Sequence, residues 1–120
     1  MALAAVLPTA PTLGGLLLVA ALAAVLSNVL NNLPAALLLL AVLGDAPAPG
    51  VVLAVLIGVN IGPNLSYLGS LATLLWRRVL NGTGAAPGIG EFTALGVLTV
   101  PPALVAAVVT MWATLPLVAP

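Results

Sequence analysis

The sequence contains no cysteine and no histidine. That removes disulfides, thiolate chemistry and the usual transition-metal ligands. It also removes the nucleophile–base pairs that depend on either residue, so no catalytic residue and no metal site is expected. Charge is almost as scarce, with two basic and two acidic residues in 120 and a net charge of zero. Soluble domains carry about 25% charged residues, so four charges cannot furnish a water-facing surface. A balanced charge also leaves no electrostatic footprint for nucleic acid. Aromatic residues make up only 3%, which implies thin interfacial belts. The charged start of a signal peptide is missing, so cleavage of a leader is not expected.

What is present is apolar and small. Hydrophobic residues form 63% of the chain, and the mean hydropathy is +1.37. Ala, Leu, Val and Gly dominate, residues that let helices approach closely in lipid. The expected class is an all-α integral membrane protein whose first partner is the lipid bilayer.

Polarity is concentrated at two points. Positions 1–12, with Pro8 and Pro11, read as the end of a preceding segment or a loose leader. Leu13–Leu26 is an apolar arm of about 21 Å, short of the ~30 Å hydrocarbon core. Leu33–Leu43 is a second arm of about 16 Å. Between them lies "SNVLNNLP", with Ser27, Asn28, Asn31, Asn32 and Pro34. The pattern predicts a re-entrant helical hairpin over 13–43 with its polar tip deep in the membrane, where irregular backbone needs protein or water around it. "GDAPAPG" (44–50) reads as a turn, with Asp45 at the water interface.

The second point is "GVNIGPN" within the apolar stretch 51–80. Pro63 removes a backbone donor, and Gly58 and Gly62 permit irregular geometry. The expectation is a broken transmembrane helix, with halves at about 51–59 and 66–80 and an unwound middle carrying Asn60, Gly62, Pro63 and Asn64. Ser66 and Ser70 follow in the same stretch. Arg77 and Arg78 end the element, and the positive-inside rule places that end in the cytoplasm. A polar loop follows at 81–91, and a final transmembrane helix is expected from Pro101 to Val118, with proline in its first turn.

Helices that stop inside a membrane leave backbone groups without partners, and their ends carry partial charges. Two such breaks facing each other make a solute or ion site, a recurring design in secondary transporters. Asn and Ser also simply bond helices together. Two clusters, each at a break, favour the site. Gly58 and Gly62 form a GxxxG pattern, read either as a helix contact or as chance. "GTGAAPGIG" lacks the Lys and Ser/Thr of a phosphate loop, and "NLS" and "NGT" fall where glycosylation is not expected. Asp45 and Glu91 read as solvated interfacial charges.

"LSNVLNNLPA" (26–35) and "IGPNLSYLGSLATLLWRRVL" (61–80), above all "GSLATLLW", closely resemble the C-terminal part of bacterial arsenite efflux permeases, members of the ion transporter superfamily. The resemblance implies a multi-pass protein of the bacterial cytoplasmic membrane that exports arsenite and antimonite by proton-driven secondary transport, sometimes assisted by a soluble ATPase subunit. It implies that Ser27 and Asn28 match a hairpin tip that holds ion and substrate, and that Gly62, Pro63 and Asn64 match the unwound helix. Where well-known members carry an acidic residue and a lysine, this chain has Asn60 and Asn64. It further implies that the chain represents only the end of the second of two inverted repeats and works with a missing N-terminal half. Sodium/proton or organic-anion transport by the same superfamily, and a non-transporting remnant or membrane-interaction subunit, are the alternatives. No cofactor is expected.

Overall fold

The computed structural model describes residues 11–66, 69–84 and 88–118. Positions 1–10 of the expected leader at 1–12 lie outside them. Among the described residues there is no strand. The elements are α1 (Leu13–Leu30), α2 (Asn32–Leu43), α3 (Pro49–Ile61), a 3₁₀ turn (Gly62–Leu65), α4 (Leu71–Asn81) and α5 (Ile89–Val118). Local signals set several starts. Thr12 caps α1 by accepting from Gly15 N at 3.1 Å, Pro49 occupies the first turn of α3, and Ser70 caps α4.

α1 and α3 form the centre of the molecule. The buried residues of α1 are Leu16, Val19, Ala20, Ala23, Ala24 and Ser27, spaced three and four apart so that they share one face. α3 answers with Gly50, Val51, Ala54, Val55, Gly58 and Val59. Both seams are built mostly from small residues, while Leu18, Val25, Val29, Leu53 and Leu56 point outward. This is the packing logic of helices in lipid, where close backbone approach matters more than hiding large side chains. Gly50 lies beside Leu16, Gly58 beside Ala20 and Ala23, and Gly62 beside Ala24. The two helices therefore run parallel, and the GxxxG pair is a helix contact. A Cβ at Gly58 or Gly62 would collide with the α1 backbone.

α2 folds back from α1 through the single residue Asn31 (φ 81°, ψ 158°) and buries Ala35 and Leu39 in the shared core. α5 lies antiparallel to α3: Leu115 approaches Gly50 at one end and Gly96 meets Asn64 and Leu65 at the other. Its contact stripe is Gly96, Val100, Leu104 and Val108, spaced by four. α1 and α5 are long and apolar enough to cross a membrane.

Three boundaries differ from the sequence reading. The first arm does not stop at Leu26 but winds on to Leu30, because Ser27 Oγ (2.7 Å) and Asn28 Nδ2 (2.8 Å) both donate to the Ala24 carbonyl. Polar side chains satisfied by the preceding turn do not force a helix to end. The middle of the broken helix is not unwound at Asn60. α3 continues to Ile61 and tightens into the 3₁₀ turn, whose second residue is Pro63. Gly62 N–H still bonds Gly58 O, and Pro63 lacks the next ladder donor, which ends the α-helical pattern there. The chain turns extended only at Ser66 (φ −148°, ψ 164°) and Ser70 (φ −154°, ψ 138°), so the second half begins at Leu71; Tyr67 and Leu68 lie outside the described residues. The last helix begins at Ile89, not Pro101, with Pro101, Pro102 and Pro116 inside it. Each proline removes one ladder bond. Ending the helix would leave about four carbonyls unpaired in apolar surroundings, so continuation wins. The 81–91 loop shortens accordingly; residues 85–87 lie outside the described residues.

Candidate solute site at the two helix breaks

The two polar clusters meet. Asn28, one turn from the end of α1, reaches across to the 3₁₀ turn and donates Nδ2–H to the Gly62 carbonyl at 2.8 Å. Its second N–H goes to Ala24 O within α1. The Ser66 hydroxyl donates to Asn28 Oδ1 at 2.6 Å. One carboxamide thus satisfies a carbonyl at the end of α3 and fixes the first extended residue after it. Gly69 folds back over this pair, so close that a Cβ would strike Pro63 and crowd Asn28 Oδ1. Gly62, Ser66 and Gly69 therefore make a knot around Asn28, with a glycine where two backbones touch.

The remaining residues divide by exposure. Ser27 is fully buried and bonded within α1. Gly62 and Pro63 are buried. Ser70 is buried, accepts from Thr73 N at 3.4 Å and starts α4. Asn31 is half-buried at the hairpin turn, its Oδ1 accepting from Asn32 N at 2.8 Å, and Asn32 is half-buried beside it. Asn60 and Asn64 are exposed. Each donates one N–H to its own helix, Asn60 to Leu56 O (2.6 Å) and Asn64 to Ile61 O (3.0 Å), and each has further donor and acceptor capacity.

Asn64 opens onto two adjoining, widely open cavities of about 330 Å³ each. One is lined by Ala72, Thr73, Trp76 and Phe92 with Asn64, the other by Leu95, Gly96 and Thr99 with Asn64, Trp76 and Phe92. The two rings stand 6.2 Å apart, inclined at 45°. Thr73, Thr99, Trp76 and Phe92 were not singled out by the sequence. Their one signal is that Thr73 and Trp76 belong to "LATLLW"; nothing in the sequence brings α5 to them. Arg77 and Glu91 adjoin the lining residues Trp76 and Phe92 in sequence, but no charged side chain is among the described residues that line the cavities. Asp45 and Glu91 are both exposed, and among the described residues no cluster of metal-ligating side chains exists. The site is an uncharged one, made of carboxamides, hydroxyls and backbone groups.

Comparison with known proteins adds a second kind of observation. The family described as arsenical pump membrane protein matches residues 4–115. Among individual relatives, the arsenical pump membrane proteins of Escherichia coli (strain K12), Shigella flexneri and Yersinia enterocolitica are each 35% identical over 88 residues. That match covers 69% of this chain and 20% of each relative, so the chain spans about a fifth of their length. No solved structure matches it.

Proposed function

The chain belongs to the arsenical pump membrane protein family, and from that premise we propose that it forms part of the solute pathway of a secondary transporter exporting arsenite and antimonite. On this reading the pathway crosses the bacterial cytoplasmic membrane and export is coupled to proton entry. The remaining portion of such a permease supplies the other repeat, and a soluble ATPase subunit assists where one is present.

The observation that carries the reading is the meeting of two helix ends at one uncharged polar knot, Asn28 with Gly62 and Ser66, beside an exposed Asn64 facing a cavity. Arsenite near neutral pH is an uncharged trihydroxide. A site of carboxamides and hydroxyls suits it, because neither partner carries a charge that must be stripped of water. Asn64 has capacity to bond such a solute, whereas the Asn28 amide is engaged internally.

The hairpin is read as re-entrant. In support, Asn28, three residues before the hairpin turn, bonds Gly62, next to the point where Asn64 and Leu65 pack on Gly96. α5 continues seven residues further, to Ile89. The return arm of the hairpin, Asn32–Leu43, has 12 residues, about 18 Å, too short to cross the ~30 Å hydrocarbon core. Single cysteines at Gly14 and Asp45 should then react from the same membrane side; reaction from opposite sides refutes it.

The functional test uses a full permease carrying this segment, with arsenite and antimonite uptake measured in everted vesicles. Asn64→Ala should lower apparent affinity about tenfold, the scale of one solute hydrogen bond whose partner is left unpaired, with the amount of inserted protein unchanged. Unchanged uptake would remove Asn64 from the pathway.

A further inference from the structure

The two cavities beside the knot have an arrangement that the helix breaks alone do not require. Asn64, Trp76 and Phe92 belong to both, while each cavity adds one threonine of its own: Thr73 on α4 for the first, Thr99 on α5 for the second. Thr99 donates its hydroxyl proton to Leu95 O at 2.8 Å, so toward the cavity it offers lone pairs. Asn64 donates one N–H to Ile61 O, and its carbonyl oxygen remains an acceptor. Thr73 has its backbone N–H bound to Ser70, and its hydroxyl is able to donate or accept. Each chamber therefore holds one carboxamide oxygen and one hydroxyl oxygen against aromatic walls. That is an acceptor-rich, charge-free lining with a shared central group.

We propose that these chambers are two successive binding positions for a small neutral polyhydroxylated solute, which passes from Thr73 to Thr99 while Asn64 stays bonded to it. The inference rests on the transport reading above and assigns Thr73 and Thr99 as specificity-determining residues. The chemistry matches group by group: O–H donors of the solute face acceptor oxygens, and the rings of Trp76 and Phe92 cover its apolar side. No arginine or lysine stands among the described lining residues, so a charged oxyanion would meet no counter-charge from them and is disfavoured. Asn64 lines both chambers, so the solute keeps one bond while it exchanges the other.

The chain carries two tryptophans, Trp76 in the chamber wall and Trp112 on the exposed side of α5. Trp112→Phe thus leaves Trp76 as the sole indole reporter. The chain bearing this change, reconstituted in phosphatidylcholine vesicles, is titrated with antimonite and separately with glycerol, following Trp76 emission. Each neutral trihydroxy probe should give a saturable change. Thr73→Val and Thr99→Val should each weaken half-saturation about tenfold, and Thr73→Ser and Thr99→Ser should restore it. Valine preserves the shape of threonine, and circular dichroism checks that helix content is unchanged. No saturable response, or valine variants that match the serine variants, overturns the proposal. Loss of vesicle uptake with the Trp76 response intact counts against the transport reading and leaves the chambers standing. A missing response alongside intact uptake counts against the chambers alone.

Discussion

Asn28 and Asn64 are the same residue type at two sides of one break, and the structure uses them in opposite ways. Asn28 engages both its N–H groups and its oxygen with Ala24, Gly62 and Ser66. Asn64 makes one bond to its own helix and faces open space. The region around Asn28 is a closed seam, where glycines and alanines bring backbones together and every added atom has a neighbour. The region around Asn64 is a loosely walled vestibule, with α4 burying no residue at all. Polarity in an apolar chain thus has two meanings here. A hydrogen-bond inventory separates them where residue type does not: a side chain whose donors are all paired holds structure, and one with capacity left over is available to a solute.

The largest effect should come from adding bulk to the closed seam. A side chain at Gly62 meets the Ala24 backbone, and one at Gly58 meets the Ala20 carbonyl. Backbone cannot yield as a flexible side chain can. Gly62→Val should therefore cost at least the ~1–3 kcal/mol of ordinary overpacking, seen as loss of folded, monodisperse protein in detergent. Gly14 and Gly90, with nothing near their Cβ positions, should accept alanine without such loss. Tolerance of valine at Gly62 would break the distinction between seam and vestibule.

Asn28→Ala comes next and sharpens the comparison directly. It leaves the Gly62 carbonyl and the Ser66 hydroxyl without their partner. Interhelical bonds in membranes average ~0.6 kcal/mol, but an unsatisfied buried group costs about 1–3 kcal/mol. A destabilisation of about 2 kcal/mol is expected in a detergent-unfolding titration. Asn64→Ala in the same titration should change stability by less than about 0.5 kcal/mol, the range of surface substitutions. Equal losses for the two variants would mean that Asn64 is also structural.

Much of this was legible in the residues. The absence of charge and the excess of small apolar residues announce a membrane bundle, and the interruptions at "SNVLNNLP" and "GVNIGPN" locate the places that matter. What could not be read was which polar groups find partners. Ser27 and Asn28 suggest a helix end by composition, yet both bond Ala24 O and α1 continues past them. Pro101 and Pro102 suggest a start, yet α5 runs through them. In both cases the outcome depends on the cost of leaving backbone unpaired in apolar surroundings, which local preference does not express. Thr99 and Phe92 were invisible, and Thr73 showed only as part of "GSLATLLW", because their meaning comes from the contact of α4 with α5 around Asn64, a relation between distant segments.

The finest test concerns Asn31. Its backbone (φ 81°, ψ 158°) lies in a region that is nearly exclusive to glycine and costs a side chain of order 1–3 kcal/mol. Asparagine recovers part of that cost by accepting from Asn32 N. Asn31→Gly removes the strain and gives up a cap whose loss to glycine is worth only a few tenths of a kcal/mol. The net should be stabilisation of up to about 1 kcal/mol. Asn31→Ala keeps the strain and loses the cap, for a destabilisation of about 1–2 kcal/mol. The two variants lack the same carboxamide, so stability and transport together separate its roles. If Asn31 serves only the turn, the glycine variant should be more stable and transport normally while the alanine variant falls in stability. If its amide meets the solute, both should lose uptake in everted vesicles despite their opposite stabilities. An alanine variant as stable as the glycine variant would mean that the turn at Asn31 is not under strain, and the tip would then belong with the vestibule and not with the seam.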